Sequence, residues 1–319
     1  MISLARLIYH WITGRTEYEP TPSLIPAESQ VFEMALNGPG FSNASEFALA
    51  LEGAREVVVK PSHVDYRLGR RTHVGMVRSL NEDSMLTLEL NRTQQSLSQP
   101  VGFFAVADGM GGHTAGEIAS GRIVTSLSHK ALSELFPLSL GQEPGGRLEW
   151  LRHAVQDANS DVYNLRQTAD TDMGSTLVAA VLEGNKVHIA HVGDSRAYIV
   201  NRNEIQRITT DHSLVERLVT SNQITREEAR FHPQRNVIYR TIGDKGEVDV
   251  EVSSHLLDEG EYLLLCSDGL TGMVEDRVIH QIILDAQVPQ AACDKLIDAA
   301  NAAGGDDNIT AIIIQVVQV

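Results

Sequence analysis

The sequence has little cysteine and no long apolar run. Its 319 residues include two cysteines, Cys266 and Cys293, which excludes a disulfide scaffold and a cysteine-rich zinc module. No apolar stretch reaches the roughly 18 residues that a membrane-spanning helix needs. We therefore expect a cytoplasmic protein without a transmembrane segment.

Basic residues are also scarce. The chain has 26 Lys and Arg against 42 Asp and Glu, a formal net charge of −16, and no Lys/Arg run exceeds two residues. Such a surface repels nucleic acid and anionic lipid unless a basic patch is segregated. We therefore expect no nucleic-acid partner. An acidic excess suits a protein that uses carboxylates to hold cations.

The composition changes near residue 65. Five of the ten prolines lie in the first 61 residues, where short helices are predicted over 28–37 and 44–55. We divide the chain into an N-terminal extension of unknown role, residues 1–65, and a catalytic domain, residues 66–319. The apolar residues at the very start have helical spacing. They predict a helix that packs on its own chain or a partner, or that lies on a membrane surface.

From about residue 68 the periodicity of strands and helices is clear. Strands are predicted over 101–107, 175–183, 186–192, 195–200, 248–254, 261–266 and 309–317. Helices are predicted over 115–135, 148–167, 213–231, 276–285 and 289–302. The helix over 115–135 is predicted to bury one face that contains Ile118, Ala119, Ile123, Leu127 and Leu132. Short links between consecutive strands indicate antiparallel pairing, so the pattern predicts an α+β fold with helices covering antiparallel sheets.

Acidic residues stand at the ends of the apolar strands. These positions are Glu82, Asp83, Asp108, Asp194, Asp268 and Asp307. A single aspartate at such a point is usually a turn former or a helix cap. Several that converge repel one another, and Arg78 and Arg196 are too few to neutralise them all. Oxygen ligands without a Cys/His cluster favour Mg²⁺ or Mn²⁺ over zinc.

Rival catalytic motifs are missing or incomplete. Cys266 lacks the downstream arginine of a cysteine phosphatase and is interpreted as a core residue. Asp170-Thr-Asp172 follows a polar helix instead of a strand, and no Walker or dinucleotide-binding loop is present. Three histidines lack the spacing of a metal pair and are interpreted as structural: His73, His191 and His212.

Six short motifs occur in a recognisable order. They are Arg78-x-x-Asn81-Glu82-Asp83, Ala107-Asp108-Gly109-Met110-Gly111-Gly112-His113, Met173-Gly174-Ser175-Thr176, Gly193-Asp194-Ser195-Arg196, Ser267-Asp268-Gly269 and Gly305-Asp306-Asp307-Asn308. Together they resemble the bacterial branch of the metal-dependent protein phosphatase 2C family, over roughly residues 68–319. The resemblance implies a central antiparallel β-sandwich flanked by helices on both sides. It also implies hydrolysis of phosphoserine and phosphothreonine in proteins.

The resemblance assigns the principal metal ligands. Asp108 would bridge two Mn²⁺ or Mg²⁺ ions and orient a water for in-line attack on phosphorus. Asp268 and Asp307 would complete one ion's shell, while Glu82 and the Gly109 carbonyl would serve the other. Glycine at position 109 would let that carbonyl approach a cation without a side chain in the way.

The remaining implied roles surround this centre. Asp194 matches a third metal position, and Asp83 is included among the metal ligands. Arg78 would clamp the substrate phosphate, because its planar fork matches two phosphate oxygens. Ser267 and Asn308 would support the site.

One feature departs from the eukaryotic members of the family. Met110 stands where they carry a histidine proposed as the general acid. His113 and a metal-bound water are the two remaining candidates for that role. Residues 213–241 correspond to the family's flap, which we expect to tune the choice of protein substrate.

The implied partners are phosphorylated proteins and a cognate bacterial Ser/Thr kinase, and the chain is expected to be a monomer. Two other functions stay open at this point. One is a catalytically silent relative that binds phosphoproteins or another partner. The other is a phosphatase of a stress-signalling switch, although such enzymes usually carry an appended sensor domain.

Overall fold

The computed structural model describes residues 2–13, 26–51 apart from 39, 42, 45 and 49, then 64–94, 97–111, 115–136 and 146–318. The chain divides into two compact units, residues 1–62 and 63–319. No helix within the described ranges is long and apolar enough to cross a bilayer. His113 lies outside the described residues.

The first unit is helical and has a small aromatic core. Helix α1 (Ile2–Thr13) and helix α2 (Pro26–Leu36) both contribute to it. The Phe32 ring lies edge-to-face against Tyr9 and Phe47, with centroids 5.4 and 5.8 Å apart. Such edge contacts add to the free energy gained by burying the rings. Helical spacing at the start of the chain therefore does produce a helix, and one of its faces packs on its own chain.

The second unit contains two antiparallel sheets. Its strands are β1 (Val64–His73), β2 (Asp83–Gln94), β3 (Leu97–Met110), β4 (Gly174–Ser175), β5 (Leu177–Glu183), β6 (Lys186–Val192), β7 (Arg196–Val200), β8 (Ile205–Arg207), β9 (Glu251–Leu256), β10 (Tyr262–Cys266) and β11 (Ile309–Gln318). One sheet has the order β1-β11-β10-β7-β8 and the other β2-β3-β5-β6-β9, with β4 paired to β3.

Helices cover the outer face of each sheet. The described helices of the second unit are α3 (Gly116–Lys130), α4 (Gly146–Ala169), α5 (Leu214–Thr220), α6 (Arg226–Arg230), α7 (Asp268–Thr271), α8 (Asp276–Ala286) and α9 (Pro289–Ala302). Helices α3 and α4 pack on the β2-β3-β5-β6-β9 sheet, and α8 and α9 pack on the other. The inner faces of both sheets share a third apolar core. The α+β fold with helices on both sides of an antiparallel sandwich is thus confirmed.

Central strands are buried on both faces. In β5, Val178 and Ala180 point into the core between the sheets, whereas Leu177 and Ala179 point toward α3 and α4. Neither face of such a strand meets water, so both sets of side chains are apolar. This explains why the strands stand out in the sequence as continuous apolar runs. Cys266, at the end of β10, is buried in the core as predicted.

The predicted buried face of the helix over 115–135 is wrong at two positions. Ile118 and Leu132 are 46% and 58% exposed. The buried row follows strict four-residue spacing through Ala119, Ile123 and Leu127. Side chains four apart lie on one helix face, and the two exposed residues lie outside that row. The last turn, Ala131–Leu135, is a π-helix that continues α3.

The polar helix predicted over 213–231 is two short helices instead of one. Helix α5 ends at Thr220, and α6 begins only after Thr225. The Thr225 side chain accepts from the Glu228 backbone N–H, and the Glu228 carboxylate accepts from the Thr225 N–H. This capping box starts a new helix, so the earlier helix cannot run through it.

Strand pairing brings acidic strand ends to one edge of the sandwich. Asp83 begins β2 and lies directly opposite Asp108 near the end of β3. In the other sheet, Cys266 at the end of β10 lies opposite Ala311 near the start of β11. Antiparallel neighbours run in opposite directions, so the end of one strand meets the start of the next. The acidic residues that follow or precede these ends are consequently close in space.

We expect Gly69→Ala to destabilise the second unit by about 1–3 kcal/mol, the usual cost of overpacking. A Cβ at position 69 in β1 would lie 2.2 Å from the Pro289 carbonyl at the start of α9. Gly121→Ala is the matched control, because a Cβ there meets nothing within 4 Å. In the middle of α3 it should stabilise by about 0.5–1 kcal/mol. Urea unfolding of both variants measures the difference, and equal stability would contradict the close packing.

Candidate metal centre

Two aspartates from different sheets meet at the centre of the acidic cluster. Asp108 ends the apolar part of β3 and Asp268 follows β10, and their carboxyl groups are in hydrogen-bonding contact. Burial raises the pKa of Asp108 well above its usual range, and the charges of Asp83, Asp268 and Asp194 raise it further. The carboxyl groups of this pair therefore ionise less readily than exposed ones.

Asp194 and Asp307 extend the cluster on either side of Asp268. Burial raises the pKa of Asp194, and the charge of Asp268 adds to that shift. Burial raises the pKa of Asp268 as well, and the charge of Asp307 is the next contribution. Oδ1 of Asp194 is buried and has no hydrogen-bond partner among the described residues. Each carboxylate thus opposes the ionisation of the others.

Asp83 lies beneath the cluster and is held by two hydroxyl groups. Ser267 Oγ and Thr310 Oγ1 donate to its Oδ2 at 2.8 and 2.6 Å. The backbone N–H of Thr310 donates to Ser267 Oγ, which fixes the serine rotamer. Burial raises the pKa of Asp83 to about 7. Its Oδ1 has no hydrogen-bond partner in the described part of the chain. One carboxylate oxygen of Asp83 is therefore fixed by hydrogen bonds, and the other could bind a ligand.

Glu82 and Gly109 face the beginning of α3. A Cβ on Gly109 would lie 2.1 Å from the Gly116 carbonyl oxygen and 2.7 Å from that of Glu82. Close backbone packing alone therefore requires glycine at position 109, and the expected approach of its carbonyl to a cation stays a prediction. Burial raises the pKa of Glu82, and the charge of Glu117 on α3 contributes next. Glu117 is a neighbouring carboxylate that the sequence analysis missed.

Asn308 organises the loop that carries Arg78. Its Oδ1 accepts from the Glu82 N–H at 2.7 Å, and its Nδ2 donates to the carbonyls of Val74 and Leu80, both at 2.9 Å. These three bonds fix both ends of the loop on which Arg78 stands. The loop places Nη2 of Arg78 2.8 Å from Oδ2 of Asp307, and this pairing is the main reason for the raised pKa of Arg78.

The nearby cations do not neutralise the cluster. Arg78 pairs with Asp307. Arg196 pairs with Asp211, whose carboxylate accepts hydrogen bonds from Nε and Nη2 of the arginine at 2.6–3.1 Å. Buried carboxylate oxygens without partners remain on Asp83 and Asp194. A group of carboxylates and a backbone carbonyl is the donor set that Mg²⁺ and Mn²⁺ prefer. These residues therefore fit divalent cations.

Comparison with known proteins agrees with this geometry. The protein phosphatase 2C family model matches residues 70–218. The serine/threonine phosphatase stp of Listeria monocytogenes is 36% identical over 256 residues, which cover 79% of this chain and 95% of the relative. The chain belongs to the protein phosphatase 2C family. It is a protein serine/threonine phosphatase.

Solved structures of family members are similar to this chain over most of its length. The S. agalactiae serine/threonine phosphatase has a TM-score of 0.67 at 35% identity and covers 79% of this chain and 99% of its own. The catalytic domain of the phosphatase PstP, solved with two manganese ions, has a TM-score of 0.67 at 33% identity, covering 80% and 99%. Dependence on a divalent metal follows from membership of this family.

A pocket of about 230 Å³ joins the carboxylate cluster to the flap. Its lining includes Asp194, Asp268 and Asp307 as well as the flap arginines Arg226, Arg230 and Arg235. The pocket is therefore lined by both carboxylates and arginines.

A separate group of potential ligands does not form a comparable site. His191, His212 and Glu251 each place one ligand atom within 4.8 Å of the others, although their sequence spacing does not indicate it. The Gly193 N–H donates to Nδ1 of His212 at 3.0 Å, so neutral His212 carries its proton on Nε2. Arg240 Nη1 lies 3.0 Å from that Nε2. Both features disfavour a cation, and we interpret His212 as a support of the Gly193 backbone.

We expect Asn308→Ala to lower the free energy of unfolding by about 2–3 kcal/mol, since it removes three partly buried hydrogen bonds worth roughly 1 kcal/mol each. It should also lower phosphatase activity, because Arg78 loses its support. Asn203→Ala, at an exposed position, is the control. Urea unfolding and peptide hydrolysis measure both effects. Wild-type stability in Asn308→Ala would show that the loop does not depend on this side chain.

Proposed function

We propose that the chain hydrolyses phosphoserine and phosphothreonine in proteins with two divalent cations, Mn²⁺ or Mg²⁺, and that Asp194 contributes to a third site. The observation that carries this proposal is the convergence of buried carboxylates from both sheets with too few cations beside them. That arrangement stores electrostatic repulsion, which divalent cations relieve.

The ligands divide between the two sheets. We propose that Asp108 would contribute to both cation sites, that Asp268 and Asp307 would hold one cation, and that Glu82 and the Gly109 carbonyl would hold the other. When bound, such cations activate a water for in-line attack on phosphorus and draw charge from the phosphoryl oxygens. A covalent phosphoenzyme is not part of this scheme.

The chain's own groups bind and orient the phosphate. We propose that Arg78 exchanges its pairing with Asp307 for two phosphate oxygens, because its guanidinium is half-exposed and its donors form a planar fork. The hydroxyls of Ser267 and Thr310 hold Asp83 in place behind Asp108. The Met110 side chain cannot deliver a proton to the leaving alkoxide, so that proton has to come from another group or from water.

The reaction requires an enzyme that phosphorylates the substrate. A phosphatase of phosphoproteins depends on a kinase that supplies its substrate, and we propose a Ser/Thr kinase in the same cytoplasmic compartment. We further propose that the catalytic domain works as a monomer.

Asp307→Asn is expected to abolish manganese binding at one position and to lower hydrolysis of a phosphothreonine peptide by at least about 100-fold. Even the loss of an outer partner of a metal ligand typically costs about 10–100-fold. Asp306→Asn is the matched control, because it removes the neighbouring charge in the same pocket and should retain activity. Calorimetry with Mn²⁺ and a hydrolysis assay with and without EDTA measure both properties.

Three outcomes of that experiment are informative. Manganese-dependent turnover that is lost in Asp307→Asn alone supports the proposed ligand set. Equal losses in both variants would indicate a general electrostatic effect of the acidic pocket. A folded wild-type protein that binds Mn²⁺ without turnover would instead identify a binding module.

The flap is expected to act on protein substrates more than on the chemistry. Arg235 is exposed, lines the pocket and belongs to the flap. Arg235→Ala should lower kcat/KM for an acidic phosphopeptide about tenfold, the cost of one hydrogen bond between charged groups. Hydrolysis of p-nitrophenyl phosphate, which is too small to reach the flap, should be unchanged. Equal losses on both substrates would assign Arg235 to the reaction itself.

A further inference from the structure

The loop that carries Arg78 exposes three large apolar side chains. Met76, Val77 and Leu80 are 66%, 68% and 45% exposed. Single exposed apolar residues are ordinary on a protein surface, whereas apolar patches mark sites of interaction. These three lie within five consecutive residues, and Arg78 stands among them. We call the three the Met76–Leu80 surface.

Hydrogen bonds hold this loop in place. The Met76 N–H donates to the Gly305 carbonyl at 2.8 Å. The Asn308 side chain donates to the carbonyls of Val74 and Leu80, both at 2.9 Å. A loop that is fixed in advance loses little conformational freedom when a partner binds to it. The apolar side chains are therefore exposed on a segment that is already arranged for contact.

Met76 and Arg78 extend to the same turn of the chain. A Cβ on Gly305 would lie 2.8 Å from Cγ of Met76, so the methionine side chain lies beside that glycine. Two residues later, Oδ2 of Asp307 accepts a hydrogen bond from Nη2 of Arg78 at 2.8 Å. An apolar group and the proposed phosphate-binding group are therefore neighbours along the segment 305–307.

A second methionine approaches this turn from the pocket. A Cβ on Gly304 would lie 3.6 Å from Sδ of Met273. Met273 lines the pocket that also contains Asp268 and Asp307. Methionine is flexible and polarisable, so it adapts to apolar partners of different shape. Apolar contacts are thus present beside the carboxylate cluster as well as on the Arg78 loop.

We propose that the Met76–Leu80 surface binds an apolar side chain adjacent to the phosphorylated serine or threonine of a protein substrate. This inference rests on the proposed role of Arg78 in binding the phosphate. It adds a substrate class to that role, namely phosphoproteins in which a large aliphatic residue such as leucine neighbours the phosphorylated one.

The position of Arg78 identifies the substrate as the occupant of the surface. Neighbouring Cα atoms are about 3.8 Å apart, so Val77 adjoins Arg78, and Leu80 lies within about 7 Å of it. The same spacing separates a phosphorylated residue from its neighbours in a substrate. The substrate of a protein phosphatase is a polypeptide. One that brings its phosphate to Arg78 therefore brings its neighbouring side chains within reach of Val77 and Leu80.

Two phosphothreonine peptides test the proposal. They are identical except that one has leucine, and the other alanine, on both sides of the phosphothreonine. With the full chain and Mn²⁺, kcat/KM should be about tenfold higher for the leucine peptide, because burying part of a leucine side chain contributes about that factor. In Val77→Ser/Leu80→Ser the ratio of the two kcat/KM values should fall to about two or less, since the apolar contact is removed.

Leu132→Ser is the matched control. Leu132 is 58% exposed on the π-helical turn that follows α3, and its substitution should leave the ratio at the wild-type value. The ratio separates contact with the substrate from a displacement of Arg78. A displaced Arg78 would lower both kcat/KM values by the same factor and leave their ratio unchanged.

Three results would overturn the proposal. The first is equal kcat/KM of the wild type for both peptides, and the second is a wild-type ratio in Val77→Ser/Leu80→Ser. The third is a dimer in sedimentation equilibrium that this double variant dissociates, because a second copy would then cover the surface. Absence of turnover of either peptide would instead contradict the proposed function itself, and with it the surface that rests on that function.

Discussion

Mutual repulsion among buried carboxylates is the constraint on which the catalytic half of the structure depends. Asp108 and Asp268 come from different sheets and meet at one end of the sandwich. Buried charges of one sign are costly, so the folded chain retains protons there or takes up cations. The apolar cores on both sides of each sheet hold the strand ends in place against this repulsion.

The strand ends alone do not fix the site; neutral side chains complete it. Ser267 and Thr310 hold Asp83 through hydroxyl groups, and Asn308 ties the Arg78 loop to the start of β11. Neutral donors orient a carboxylate but leave its negative charge in place, whereas an arginine would neutralise that charge. The cluster is thus positioned firmly while its attraction for cations is preserved.

Much of this arrangement could be predicted from the sequence. Apolar strands that end in aspartate can be recognised in the sequence as runs of apolar residues. These runs are continuous because the strands are buried on both faces. The bonds of Asn308 to Val74 and Leu80 could not be predicted, because they join residues more than 220 positions apart. The break between α5 and α6 could have been predicted from Thr225 and Glu228, whose spacing is that of a capping box. The continuous polar helical pattern over 213–231 instead suggested one helix. The packing that requires glycine at position 109 could not be predicted either, because only the fold shows that the Gly116 carbonyl lies beside it.

Arg78 connects the resting site to its proposed working state. In the structure its guanidinium offsets the charge of Asp307, 2.8 Å away. Ion pairs that are this exposed contribute little to stability, with a median of about 0–1 kcal/mol. The pairing is therefore easily exchanged, whereas the buried pair of Arg196 and Asp211, bonded through two nitrogens, is not. The same type of side chain is fixed where it supports the fold and exchangeable where a phosphate has to bind.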